Sequence, residues 1–279
     1  MKLYRSREGD ITALDTKTQL STLGSDSAPG PLMVPQGATV ITKVLIAAIQ
    51  NMAAATGFSA FARLEGPGMI NGPESIAAGA GGNAVATGGN FVNKMVEVDV
   101  NFPVSAGSEI QIFGEMAGTD IGQVNMVVGI VFADKAGNDA NQLKSLTVEG
   151  DIASVDTRTA INTQGSVSSP SLITPAGYTK IDKIVMAASA EGLADGGQVW
   201  YLRLGGNAVQ GGEQVIPISA SGTKAPQAGS DAAPQCITPI VLENCEITVS
   251  PSDTIAIWVE GAGADTGTGH AVVTLLFAK

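Results

Sequence analysis

Short runs of apolar and β-branched residues, many alternating with polar ones, recur along the whole chain and are bounded by Gly, Pro, Asn or Asp. Val96-Glu97-Val98-Asp99-Val100 alternates strictly, as expected of a strand with one buried and one wet face. Helical spacing is nearly absent. The best stretch, 44–55, opens on β-branched residues and leaves room for one short helical turn over 51–55. In the first half the pattern predicts eight strands, over 11–20, 32–34, 39–49, 59–65, 74–78, 92–102, 109–115 and 123–132.

The second half repeats the first. Residues 8–18 recur as 149–159 with seven of eleven identities, opening on Glu8-Gly9-Asp10-Ile11 and Glu149-Gly150-Asp151-Ile152. Residues 35–48 recur as 175–188 with seven of fourteen identities. Phe61-Ala62-Arg63-Leu64 aligns with Tyr201-Leu202-Arg203-Leu204, and 109–133 aligns without a gap to 254–278 with eleven identities in 25. Solenoid and propeller units run roughly 20–50 residues, so a repeat this long makes each copy a complete domain. The polar segment after the last strand of the first copy marks the junction. The expected division is a first domain over 1–136, a linker over 137–143 and a second domain over 144–279. Eight strands per copy exceed the roughly seven of an immunoglobulin-like domain. The expected fold class is therefore all-β, with two tandem homologous eight-stranded jelly-roll β-sandwiches. A Gly-x-Asp-x-Gly segment at 118–122 and again at 263–267 predicts a hairpin loop before each final strand.

Composition removes most chemistry. The 279 residues carry 26 acidic and 15 basic side chains, a net charge of −11, with no Lys/Arg cluster beyond the first seven residues. No direct nucleic-acid binding is expected of such a chain. One His and two Cys leave little material for transition-metal or His-based catalysis, and no enzyme activity is expected. His270, matched by Asn125 in the first copy, has no nucleophile or ligand beside it and reads as structural. Cys236 and Cys245 read as free buried thiols. Asp10, Asp15, Asp151 and Asp156 recur in both copies and read as turn and cap residues, with a surface calcium at a subunit junction as the alternative; no other cofactor is expected. The glycine-rich stretches 66–72 and 79–89 lack Gly-Lys-Ser/Thr and are not phosphate loops. No run approaches the roughly 18 apolar residues of a membrane span. No apolar segment follows the basic start, so assembly in the cytoplasm is expected.

Two groups remain as contact candidates. Arg63 and Arg203 hold one equivalent strand position, with Phe61 and Tyr201 two residues earlier on the same face, away from the core. Arg and aromatic residues are enriched at subunit contacts, which makes Phe61, Arg63, Tyr201 and Arg203 interface candidates. Lys2, Tyr4, Arg5 and Arg7 form a basic start suited to an anionic internal membrane or a partner protein, with a disordered terminus as the alternative.

Two homologous eight-stranded domains in tandem, matched at 8–48 with 149–188 and at 109–133 with 254–278, resemble the double jelly-roll major capsid proteins of tailless icosahedral viruses. That lineage includes adenovirus and membrane-containing phages and archaeal viruses. The resemblance implies a structural virion protein that forms homotrimers, in which six jelly rolls make a pseudo-hexameric capsomer. It implies neighbouring capsomers, minor or vertex capsid proteins and an internal lipid membrane as partners. Short loops imply a compact member with a nearly smooth outer face. The alternatives are a tandem β-sandwich binding module for carbohydrate or another ligand, and a surface-layer or fibre subunit. Aromatics make up only 4% of the chain, which is little material for sugar-stacking platforms.

Overall fold

The computed structural model describes residues 2–52, 57–82, 89–92, 95–118, 123–134, 142–152, 156–167, 170–191, 196–223, 235–237, 239–263 and 268–279. Among them all regular structure is β-strand. The first half forms β1 (Lys2–Ile11), β2 (Thr18–Gln19), β3 (Leu32–Met33), β4 (Val40–Met52), β5 (Gly57–Glu65), β6 (Glu74–Gly82), β7 (Gly89–Val92), β8 (Val96–Pro103), β9 (Glu109–Gly118) and β10 (Gln123–Ala133). One sheet runs β1-β10-β4, with β7 and β8 along the far edge of β4. The facing sheet runs β6-β5-β9, with β2 and β3 beyond β9. Strands close in sequence are thus split between two antiparallel sheets, which is the jelly-roll topology.

The second half forms β11 (Leu143–Ile152), β12 (Thr159–Ala160), β13 (Lys180–Glu191), β14 (Gly196–Gly205), β15 (Gln214–Thr223), β16 (Gln235–Ile237), β17 (Ile240–Leu242), β18 (Ile247–Thr248), β19 (Ala256–Gly263) and β20 (Thr268–Ala278). Its sheets run β11-β20-β13 with β17 and β18, and β12-β19-β14-β15. The register matches the first half position by position. Ser6 pairs with Gly129 as Thr147 pairs with Thr274, and Arg63 pairs with Ser75 as Arg203 pairs with Val215. Even a bulge is kept, at Ala78 of β6 opposite Ala60 and Phe61 and at Ile218 of β15 opposite Trp200 and Tyr201.

Each sandwich closes on its own core. Val44, Ile46, Val128 and Ile130 face Ala62, Leu64, Ile110 and Ile112 in the first jelly roll. Ile184, Met186, Val273 and Leu275 face Trp200, Leu202, Ile257 and Val259 in the second. One cross-strand pair shows how the two cores differ. Ala60 lies opposite Met116, whereas the equivalent Trp200 lies opposite Gly261. Large and small have changed places at both partners together, which keeps the local volume nearly constant.

Three expectations need adjusting. The first strand covers Lys2–Ile11 rather than 11–20, where only Thr18–Gln19 is extended. Its side chains hardly alternate in hydrophobicity; the ladder to β10, from Lys2↔Ala133 to Ile11↔Val124, holds it instead. Asn51 and Met52 continue β4 rather than starting a helical turn, and 53–55 lie outside the described residues. Residues 119–122 and 264–267 of the predicted hairpin loops also lie outside them, as do 137–141 of the predicted linker, while Leu143 already belongs to β11.

An alanine Cβ at Gly261 would sit 2.7 Å from Trp200 Cζ3. Gly261→Ala is therefore expected to destabilise the chain by about 2 kcal/mol, measured by denaturant unfolding. A wild-type midpoint in this variant would show that Trp200 is free to move.

Candidate functional site

The two jelly rolls dock face to face, and buried charged and polar groups gather where they meet. Alternation in β5 turns Ala60, Ala62 and Leu64 into their own core and Ser59, Phe61 and Arg63 outward, beside Glu115 of β9. These outward residues do not meet water, because the outer side of β11-β20-β13 covers them. Val185, Ala187, Val272 and Leu276 of the second jelly roll join the apolar cluster of the first.

Polar contacts fix the orientation. The Ser75 N–H donates to Ser145 Oγ (2.7 Å), the Thr147 hydroxyl donates to the Ser75 carbonyl (2.9 Å), and the Ala77 N–H donates to Thr274 Oγ1 (2.8 Å). Hydroxyls of the second sheet thereby satisfy main-chain groups of β6 that have no strand partner on that side. Farther along β6, Gly82 to Ala80 pair with Gln235 to Ile237 of β16, so a segment of the second half completes an edge of the first.

Two ion pairs are sealed in this interface. Arg63 reaches Glu115 at 2.7 Å, with both side chains nearly inaccessible. The other Glu115 oxygen accepts the Ser166 N–H at 2.9 Å. Ser166 lies in a tight turn, closed by mutual hydrogen bonds of Gln164 and Val167, whose Gly165 N–H donates to Glu149 Oε1 at 3.1 Å. Gly165 has φ +48°, and a Cβ there would lie 2.9 Å from Phe61 Cζ, so the close approach requires glycine. In the second pair, Glu74 accepts from Lys144 Nζ (3.0 Å), the Ser145 N–H (2.6 Å) and the Ser145 hydroxyl (2.7 Å). Burial outweighs these partners and pushes the Glu74 carboxyl from 4.5 up to about 7.

Acidic groups surround one end of the face. Burial, then the charges of Asp151 and Glu115, raise the Asp15 carboxyl, and burial raises Glu149. Asp151 is held below the ordinary carboxylate range by its hydrogen bond with His270, whose Nδ1 lies at 2.6 Å.

Phe61 and Arg63 point away from their own core, but the second jelly roll of the same chain seals them; they bind domain to domain, not subunit to subunit. Tyr201 and Arg203, at the equivalent positions, remain half-buried, with Arg203 paired to Glu260 (2.5 Å) and Glu213 (2.8 Å). Lys2, Tyr4 and Arg5 are exposed on β1, an ordered strand rather than a loose terminus. Arg7 is buried, donating to the Ser6 and Gly30 carbonyls at 2.8 Å, and so is withdrawn from contact with a membrane or partner. Asp10 accepts from Asn125, and Asp15 and Asp156 adopt φ of 49° and 53° in turns. Among the described residues no group of three or more His, Cys, Asp or Glu is arranged to hold a metal. Cys245 is a free, half-buried thiol that burial pushes up; of Cys236 only the main chain, in β16, is described. Sequence reasoning passed over Glu74 and Glu115. The repeat did carry a signal for Glu115, since Glu260 accompanies Arg203 as Glu115 accompanies Arg63.

Both halves of the docking contact have an uncovered counterpart. The outer side of β15-β14-β19 matches the covered face of the first jelly roll and exposes Val199 and Val215. The outer side of β1-β10-β4 matches the covering face of the second. It exposes Tyr4 and Val127, beside a groove of about 710 Å³ lined by Glu8, Asp10, Thr22 and Asn125.

No protein-family model matches the chain, and no curated protein matches it significantly. Among solved structures it is similar to N-glycanase F (PNGase F), at 9% identity and TM-score 0.42, over 99% of this chain and 95% of that one. It is also similar to the major capsid protein P2 of bacteriophage PM2, at 10% identity and TM-score 0.32, over 100% and 98% of the two chains. A triple jelly-roll protein of an archaeal virus matches at 10% identity and TM-score 0.25, over 99% of this chain and 57% of that one. At such scores neither an amidase activity nor a capsid role passes to this chain.

Two outcomes follow for the buried charges. Removing Arg63 strands Glu115 in the interface, so Arg63→Ala is expected to cost about 3–5 kcal/mol. Arg203→Ala, at the open copy, is expected to cost the chain far less, because solvent screens that pair. Equal losses in chemical denaturation would contradict the difference in burial. The folded chain holds the Glu74 proton up to about pH 7. The unfolded chain releases it near the ordinary value, so stability falls as pH rises between the two. Glu74→Gln is expected to flatten that slope in urea titrations at pH 4.5–7; an unchanged slope would assign it to other groups.

Proposed function

We propose that the chain is a structural subunit of a protein shell, the major capsid protein of an icosahedral virus. In this reading it forms homotrimeric, pseudo-hexameric capsomers. One observation carries the proposal: the contact that joins the two jelly rolls leaves an uncovered counterpart of each half at the two ends of the chain. Such a contact is heterologous, so its repetition between chains generates either a closed ring or an open filament. A ring of six similar units from three chains closes if each jelly roll is turned about 60° from the one before. The apolar residues on the open faces, Tyr4 and Val127 at one end and Val199 and Val215 at the other, favour burial against another molecule.

The virion is the corresponding location, with neighbouring capsomers and minor or vertex proteins as partners. Arg5, exposed and on the opposite row of β1 from Lys2 and Tyr4, is the cation that remains open to an internal anionic membrane. The deficit of basic charge speaks against direct contact with the genome.

Light scattering on the purified protein during size exclusion tests the assembly. The monomer is 28.1 kDa, and the expected particle has three times that mass. A monomer at high concentration would overturn the proposal. A trimer that forms hexagonal arrays under the electron microscope would carry it to the level of the shell.

A further inference from the structure

Resting on that reading, the geometry points to the residues through which one chain grips the next. We infer that the outer face of β15-β14-β19 docks onto the outer face of β1-β10-β4 in a second copy of this chain. It does so in the register already seen between the two jelly rolls of one chain.

Part of the internal contact is kept at the open faces. Arg63 and Glu115 recur as Arg203 and Glu260, already paired at 2.5 Å. The turn that meets them, Thr163 to Val167, recurs as Thr22 to Asp26. Both turns are closed by the same two main-chain hydrogen bonds, Gln164 with Val167 and Leu23 with Asp26. Both are tied to the same acid, Gly165 to Glu149 and Gly24 to Glu8. The Ser25 N–H of one copy would donate to Glu260 of the next, as Ser166 donates to Glu115.

Elsewhere the contact has changed, and it has changed at both partners together. Gln164 donates to the Ser75 hydroxyl at 3.1 Å inside the chain; the equivalent residues at the open faces are Leu23 and Val215, both apolar and 44% and 50% exposed. The Ala77 N–H donates to the Thr274 hydroxyl inside the chain. At the open faces Pro217 has no N–H to give and Gly129 has no hydroxyl to receive it. The Glu74–Lys144 ion pair, with Ser145 beside it, becomes Gln214 with Leu3 and Tyr4, so both charges are gone. Free drift on a solvated surface would change one partner and leave the other behind. Joint replacement is the mark of residues that touch, and the cores show it where Ala60 and Met116 become Trp200 and Gly261. The altered pairs also favour alternation, because Leu23 facing Ser75 or Lys144 facing Gln214 would lose a partner.

Charge placement tests the assignment. Leu23→Lys and Val215→Glu alter residues exposed in the chain, so each variant should keep the wild-type fold, read as an unchanged far-ultraviolet circular dichroism spectrum. Each alone is expected to raise the trimer dissociation constant by ~100-fold or more, by burying an unpaired charge. The variant carrying both is expected to recover the trimer mass in light scattering, since the new charges meet across each interface. A wild-type chain that stays monomeric would remove the shell reading and this interface with it. A trimeric wild type whose single variants also remain trimeric would overturn the interface alone, as would a double variant that folds but fails to reassemble.

Discussion

Everything in this chain is organised around the burial of one sheet face against another between two copies of the same fold. A jelly roll is a closed sandwich whose outer faces ordinarily meet solvent, and the second jelly roll still presents such a face. In the first, that face carries Phe61 and Arg63 and is sealed by β11, β20 and β13. Sealing it takes Arg63, Glu115 and Glu74 out of water, which is costly unless each charge finds a partner. Each does: Arg63 with Glu115, Glu115 also with the Ser166 N–H, and Glu74 with Lys144 and Ser145. The hydroxyls of Ser145, Thr147 and Thr274 meet the main chain of β6, so apolar area supplies attraction and polar groups supply register.

The repeat places nearly the same residues in two environments. Arg63–Glu115 is dry, and Arg203–Glu260 is half-wet, though both pairs span neighbouring strands at equivalent positions. A surface pair of this kind contributes little to a single chain, whereas a buried one is expensive to break. Arg203 and Glu260 stay only half-buried in the single chain, and the interface inferred above would bury them.

Much of the architecture was legible in the sequence. The all-β class follows from short alternating runs such as 96–100, and the duplication from identities kept in order. The expected eight strands fall short of the ten among the described residues of each half, because two-residue strands such as β2 and β3 are too short to show a period. The outward direction of Phe61 and Arg63 followed from period-two alternation, but alternation reports only which side of a sheet a residue takes. That the outward side of the first copy is roofed by the second is a tertiary fact, and no local pattern encodes it. For the same reason β1 was misplaced. One row, Lys2, Tyr4, Ser6 and Glu8, and the other, with Arg5 exposed and Arg7 buried, do not alternate in hydrophobicity, and pairing with β10 decides its conformation. The turns at Thr22 to Asp26 and Thr163 to Val167 share Thr, Gly and Ser at the repeat's offset, but their role shows only in three dimensions, where each is tied to an equivalent glutamate, Glu8 or Glu149.

The short strand β16 has a consequence for how the molecule is made. Synthesis runs from the N-terminus, so the first jelly roll leaves the ribosome with the β6 edge bare and the Phe61–Arg63 face unroofed. The roof arrives with β11 and β13, and the edge is finished only when Gln235 to Ile237 emerge. Until then a newly made first half offers a sticky edge and an apolar face to any identical neighbour on the same message. The order of translation thus makes crowded polysomes the place where this protein is most exposed to exchanging halves with its sisters.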